Sequence, residues 1–175
     1  MSPHELGLPV FYLKPGEVYF SEKPALVMTI LGSCISVTMY SARHGFGGIC
    51  HVLLPKCHTE SCNTQCSEVY RYADCSIRNM VERFVDMGAL RKDIEVKIFG
   101  GSDILVIAGH KNYVTVGKQN IEITKKTLMD EGLKIRAAHI GGTFGRKIFF
   151  FTHTGEVLMK RIKKSALPAE EICQE

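Results

Sequence analysis

No stretch of this 175-residue chain is long and apolar enough to span a bilayer; its most apolar run, residues 25–31, is the length of a strand. Residues 1–17 lack a basic start followed by an apolar segment, so they do not read as a signal peptide, and the expected location is the cytoplasm without membrane insertion. Charge of one sign is scarce. The formal net charge is +4, and no platform of aromatic and arginine residues appears, which excludes nucleic acid as an expected partner. Repeats, linkers and low-complexity blocks are also missing. Hydrophobic residues at 45% and charged residues at 23% exclude global disorder.

The length suits one domain over residues 1–175, with enough chain to bury a core unaided. Pro3, Pro9, Pro15 and Gly16 punctuate residues 1–16, read as an N-terminal surface arm, and residues 165–175 read as a loose polar tail. The seven cysteines are an odd number that cannot all pair within one chain, in keeping with reduced thiols.

Residues 26–31 are apolar and partly β-branched, as in a buried strand. Gly32-Ser33-Cys34 interrupts them, and residues 35–40 then alternate apolar and polar. Residues 47–54 form a further strand ended by Pro55, and the three segments read as one small antiparallel sheet. A helix over residues 68–87 places Ala73, Ile77, Met80, Val81, Phe84 and Val85 on one face, with Gly88 at its C-terminal end. A second helix spans 116–131, with Ile121, Thr124 and Leu128 on one side. Strands are expected at 94–99, 133–140, 147–153 and 157–162, the last two joined at Thr154-Gly155. The fold class is therefore α/β, a layered sandwich of mostly antiparallel strands with two main helices on one face.

The chemistry concentrates at Leu31-Gly32-Ser33-Cys34. Small residues after an apolar strand allow a sharp turn, with Gly32 free to adopt positive φ, that lifts the cysteine out and gathers backbone N–H groups for an oxyanion. A thiolate needs an imidazole beside it. His51, an ionisable group in the otherwise apolar run Gly48-Ile49-Cys50-His51-Val52-Leu53-Leu54-Pro55, returns past Cys34 if the strands form a meander. Thr29, before the turn, is placed to orient the ring or fix a substrate. A buried cysteine and a lone strand histidine are each more often core residues, and spacing alone does not bring the two side chains together.

These residues closely resemble the CheD family of chemoreceptor glutamine deamidases. The likeness continues through Tyr72-Ala73-Asp74, Lys97-Ile98-Phe99-Gly100-Gly101, Val116-Gly117-Lys118-Gln119-Asn120-Ile121, Gly141-Gly142, Gly145-Arg146-Lys147 and Thr154-Gly155-Glu156-Val157, covering residues 17–164 in order. The resemblance implies a fold similar to glutamine-deamidating toxins. It implies hydrolysis of selected glutamine side-chain amides on methyl-accepting chemotaxis receptors through a Cys34 thioester. His51 would be base and acid, and Thr29 the third catalytic member. It implies a CheC-type phosphatase as a further partner. No cofactor and no metal are expected. A non-catalytic receptor- or phosphatase-binding module of the same fold is the alternative, and another thiol hydrolase such as a peptidase is a third reading.

Outside that site, Cys57, His58, Cys62, Cys66 and Cys75 invite a metal reading, but their spacings are not the paired two-residue gaps of zinc ribbons; reactive surface thiols in a loop, or a disulfide, stand beside it. Gly100-Gly101 and Gly141-Gly142 lack the following Gly-Lys-Ser/Thr of a phosphate loop and read as tight turns. His139 is expected in the core. Lys160, Arg161, Lys163 and Lys164 read as a solvated strand end.

Overall fold

The computed structural model describes residues 7–57, 68–103 and 114–162. Within them the chain forms β1 (Val10–Tyr12), β2 (Val18–Ser21), β3 (Leu26–Leu31), β4 (Ile35–Ser41), β5 (Phe46–Val52), α1 (Ala73–Asp86), β6 (Glu95–Gly100), α2 (Val116–Asp130), β7 (Ile135–Ile140), β8 (Gly145–Phe151) and β9 (Val157–Ile162). The strands make two sheets, a four-stranded one ordered β1-β3-β8-β9 and a five-stranded one ordered β2-β5-β4-β6-β7. Among the strand pairings of the described residues, β1–β3 and β6–β7 are parallel and the others antiparallel.

Alternation along the strands sorts side chains into two cores. On one face of the five-stranded sheet, Ile35, Val37, Met39, Cys50, Val52, Val96 and Ile98 pack against Ala73, Ile77, Met80, Val81, Phe84 and Leu128 of the helices. On the other face, Ile49 and Phe99 meet Val27, Leu31, Ile148 and Phe150 of the four-stranded sheet. The order of layers is thus sheet, sheet, helices, and both helices cover one sheet face. Strand β5, interior to the five-stranded sheet, is buried at every position, having a layer on each side.

Three features differ from the sequence reading. First, residues 26–31, 35–40 and 47–54 do not share a sheet. β3 belongs to the four-stranded sheet, and the chain crosses to the five-stranded one at Gly32-Ser33-Cys34. Local alternation fixes a strand's two faces but not which strand lies beside it. Second, the segment read as a surface arm contributes β1, paired with β3, and buried Leu13. Third, α1 begins only at Ala73. The carbonyl of Arg71 accepts from the N–H groups of Leu53 and Leu54, and the N–H of Ala73 donates to Leu54, so backbone groups before Ala73 are committed to the end of β5. Val85 is exposed and not part of the buried face.

Candidate active site

Cys34 lies at the sheet-to-sheet crossover, between the end of β3 and the start of β4. Its side chain belongs to the core between the sheets, beside Leu31, Ile49 and Phe99, and is almost wholly buried. The turn does not use positive φ at Gly32, as the sequence reading expected. Positive φ occurs at Gly100 and Gly101 beneath it, at 107° and 66°. The Gly101 N–H donates to the Cys34 carbonyl at 2.8 Å, and the Ser102 N–H donates to the Gly32 carbonyl at 2.9 Å. A Cβ at Gly100 would stand 2.1 Å from the Cys34 carbonyl oxygen, so only glycine lets β6 approach this closely. The pair read as a tight turn thus supports the cysteine turn from below.

His51, on β5, is fully buried. Its backbone N–H donates to the Glu17 carbonyl at 2.9 Å and its carbonyl accepts from Gly16 N–H at 2.7 Å. Both backbone groups therefore point away from β4, which makes Ser36 and His51, opposite each other in register, a non-hydrogen-bonded pair. Side chains in such pairs stand closest across a ladder. By alternation His51 shares the inter-sheet side with Ile49, and Ser36 shares it too, because its neighbours Ile35 and Val37 face the helices. Cys34, two residues before Ser36, is the diagonal neighbour of His51 in that same layer, within the reach of long side chains.

Thr29 comes from the opposite sheet. Its hydroxyl donates to the Leu13 carbonyl at 2.8 Å and lies 2.8 Å from His51 Nδ1. A hydroxyl has one proton; with that proton given to Leu13, it accepts from Nδ1–H. The ring then carries its lone pair on Nε2, which is buried with no hydrogen-bond partner among the described residues. Burial lowers the His51 pKa to about 4, slightly offset by the Leu13 carbonyl, so the imidazole is neutral at pH 7. Cys50, one residue earlier, faces the helices instead, and burial pushes its thiol up to about 12. Of the two cysteines, only Cys34 lies in the layer of the neutral imidazole.

Cys34, His51 and Thr29 are therefore gathered in one layer. Sequence reasoning missed Leu13, Gly16, Glu17 and Ser36. The first three lay in or beside the presumed arm, where Lys14-Pro15-Gly16-Glu17 was a legible turn signal without a visible partner. His139 is half-buried on β7, not in the core, and accepts from Arg146 Nε at 2.9 Å. Of the cysteine cluster, His58, Cys62 and Cys66 lie outside the described residues. Cys57 and Cys75 are tied through their backbone N–H groups to the Asp74 carboxylate.

The site thus sets a cysteine, a neutral imidazole and a threonine between the layers of an α/β double sheet. Residues 53–161 match the family described as CheD chemotactic sensory transduction. The chain is 46% identical to the probable chemoreceptor glutamine deamidase CheD 2 of Geobacter sulfurreducens, over 94% of this chain and 98% of that protein. It is 32% identical to the probable chemoreceptor glutamine deamidase CheD of Maridesulfovibrio salexigens, over 87% and 92%. A crystal structure of the Bacillus licheniformis hypothetical protein YfiH is similar at a TM-score of 0.47 and 12% identity, over 70% of this chain and 49% of that one. The chain belongs to the CheD family. No helix among the described residues is long and apolar enough to cross a membrane.

Proposed function

We propose that this protein hydrolyses the side-chain amide of glutamines on methyl-accepting chemotaxis receptors, with Cys34 as nucleophile and His51 as base and acid. The observation that carries the reading is the neutral His51 ring, its Nδ1 held by Thr29 and its Nε2 unpartnered, in the layer that holds Cys34. His51 Nε2 takes the Cys34 thiol proton as sulfur attacks the carboxamide carbon. The tetrahedral oxyanion collapses, His51 returns the proton to the departing amine, and ammonia leaves with a thioester behind. Water, giving a proton to His51, attacks the thioester. Glutamate is released and the proton returns to sulfur. Thr29 keeps the ring in the tautomer that each transfer requires.

The relatives' names support the substrate class. We place the reaction in the cytoplasm, with a CheC-type phosphatase as a second partner on the strength of the family resemblance; co-purification of the two proteins tests that partner. The catalytic reading is tested by ammonia release and glutamine-to-glutamate conversion on purified receptor. Wild type is expected to be active, and Cys34→Ala and His51→Ala to lose activity by at least about 100-fold. A Cys34→Ala protein that deamidates like wild type overturns the assignment and leaves the non-catalytic binding module in its place.

A further inference from the structure

The three carbonyls of the crossover turn are each held by a different donor. Gly32 and Cys34 receive backbone N–H groups from Ser102 and Gly101. The middle one, Ser33, receives a side chain: Asn120 Nδ2 donates to it at 3.1 Å and to the Leu53 carbonyl at 2.9 Å. Leu53 lies two residues beyond His51, so one amide group joins the turn that carries the sulfur to the strand that carries the imidazole. It does so just where their ladder stops, at the Ile35–Val52 pair. Both partners are acceptors, which fixes the orientation of the amide. Its NH2 end faces the two carbonyls, and its oxygen is buried without a hydrogen-bond partner among the described residues.

Asn120 reaches this point because the first turn of α2 lies against the Gly101-Ser102 segment that follows β6. A Cβ at Gly117 would stand 2.8 Å from the Gly101 carbonyl oxygen, and Asn120 follows one turn later on the same helix face. The Ser33–Cys34 peptide is trans, so its carbonyl and its N–H point in opposite directions. Holding the Ser33 carbonyl toward α2 therefore sends the Cys34 N–H away from α2. The N–H of the nucleophile itself is a donor able to meet an oxyanion formed on the carbon that sulfur attacks.

We infer that Asn120 is a positioning residue for the deamidation: by pinning the Ser33 and Leu53 carbonyls it aims the Cys34 N–H at the developing oxyanion. The inference rests on the cysteine mechanism proposed above. Asn120 touches no reacting atom; it acts through the peptide it holds.

The test compares two reactions of the same sulfur. Deamidation passes through an oxyanion, whereas alkylation of Cys34 by iodoacetamide displaces iodide at carbon and forms none. In Asn120→Ala, kcat for deamidation is expected to fall about 10- to 100-fold, with KM and the Cys34 alkylation rate within about threefold of wild type. Asn120→Asp is the second variant. Its carboxyl can donate only when protonated, so its kcat relative to wild type is expected to rise as pH falls. An unchanged kcat in a folded Asn120→Ala protein overturns the inference. So does a parallel loss of alkylation and deamidation, or an Asn120→Asp protein with no pH-dependent recovery. Wild type and Cys34→Ala run alongside: equal deamidation by those two overturns the cysteine mechanism, and the inference with it, while a dead Cys34→Ala beside an unaffected Asn120→Ala overturns the inference alone.

Discussion

The Thr29 hydroxyl stands 2.8 Å from both His51 Nδ1 and the Leu13 carbonyl, so one proton given to a backbone oxygen decides which ring nitrogen keeps a lone pair. The threonine comes from one sheet, the histidine from the other, and the carbonyl from a segment with no chemistry of its own. Removing the hydroxyl or displacing the carbonyl changes the tautomer or the orientation of a base that itself stays in place.

Thr29→Val keeps the shape and discards the hydroxyl. We expect kcat for ammonia release to fall about 10- to 100-fold, the range of a lost buried hydrogen bond converted to rate, while Thr29→Ser retains most of the activity. Equal activity in Thr29→Val and wild type shows that His51 does not need this partner.

The pH dependence has a definite sign. The folded His51 pKa lies near 4, below its unfolded value near 6.5, so the unfolded chain takes up the proton first. The stability this residue contributes is intact above about 6.5 and declines as pH falls toward about 4, by up to about 1.4 kcal/mol per pH unit. Denaturant titrations from pH 7 to pH 4 measure that slope, and His51→Gln is expected to flatten it. Within the folded range, the acid limb of kcat/KM is expected below the ordinary histidine range; a limb at 6.5 or above contradicts a neutral buried base.

Cys50 is a control built into the same strand. It faces the helices with its thiol pushed up to about 12, so Cys50→Ala is expected to cost about 1 kcal/mol of stability and to leave deamidation within about threefold. Loss of activity there, with the protein folded, transfers suspicion from Cys34 to Cys50.

Gly100 separates space from backbone freedom when set beside Gly132. A Cβ at Gly100 meets the Cys34 carbonyl oxygen at 2.1 Å, whereas one at Gly132 meets nothing within 4 Å, although both glycines have positive φ. Gly132→Ala is expected to lose about 1–2 kcal/mol and keep its activity. Gly100→Ala is expected to lose more stability and most of its activity, measured as melting temperature and ammonia release on the same preparations.

Deletion of residues 1–16 removes β1, the Leu13 carbonyl and the Gly16 N–H bonded to His51. We expect the shortened protein to deamidate at least about 10-fold more slowly than wild type and to melt at a lower temperature. A truncated protein of wild-type activity would show that the N-terminal segment only decorates the sheet.

Much of the site was legible because its signals are local. The small-residue break before Cys34, an imidazole within an apolar run, and a glycine pair after a strand each stand out against their neighbours. Strand limits at 26–31 and 157–162 followed from apolar runs and a hairpin signal. The helix faces of α1 followed from three-and-four spacing, apart from Val85, which lies at the edge of that face. Apart from Ser36, what escaped was contributed by backbone. Leu13, Gly16 and Glu17 act on Thr29 and His51 through main-chain groups that every residue type carries, so no side-chain pattern announces them.

The alternation of β4 and β5 was written in the chain itself: a period of two residues puts Ser36 on the face opposite Ile35, and His51 on the face opposite Cys50, whatever lies nearby. The tertiary structure decided which face met the second sheet, which strand brought Thr29 to the imidazole, and how closely Gly100 and Gly101 came beneath Cys34. Side-chain direction is a property of neighbouring residues. The meeting of β3 with β8 and the crossover between sheets depend on pairings between distant segments, which no local pattern specifies.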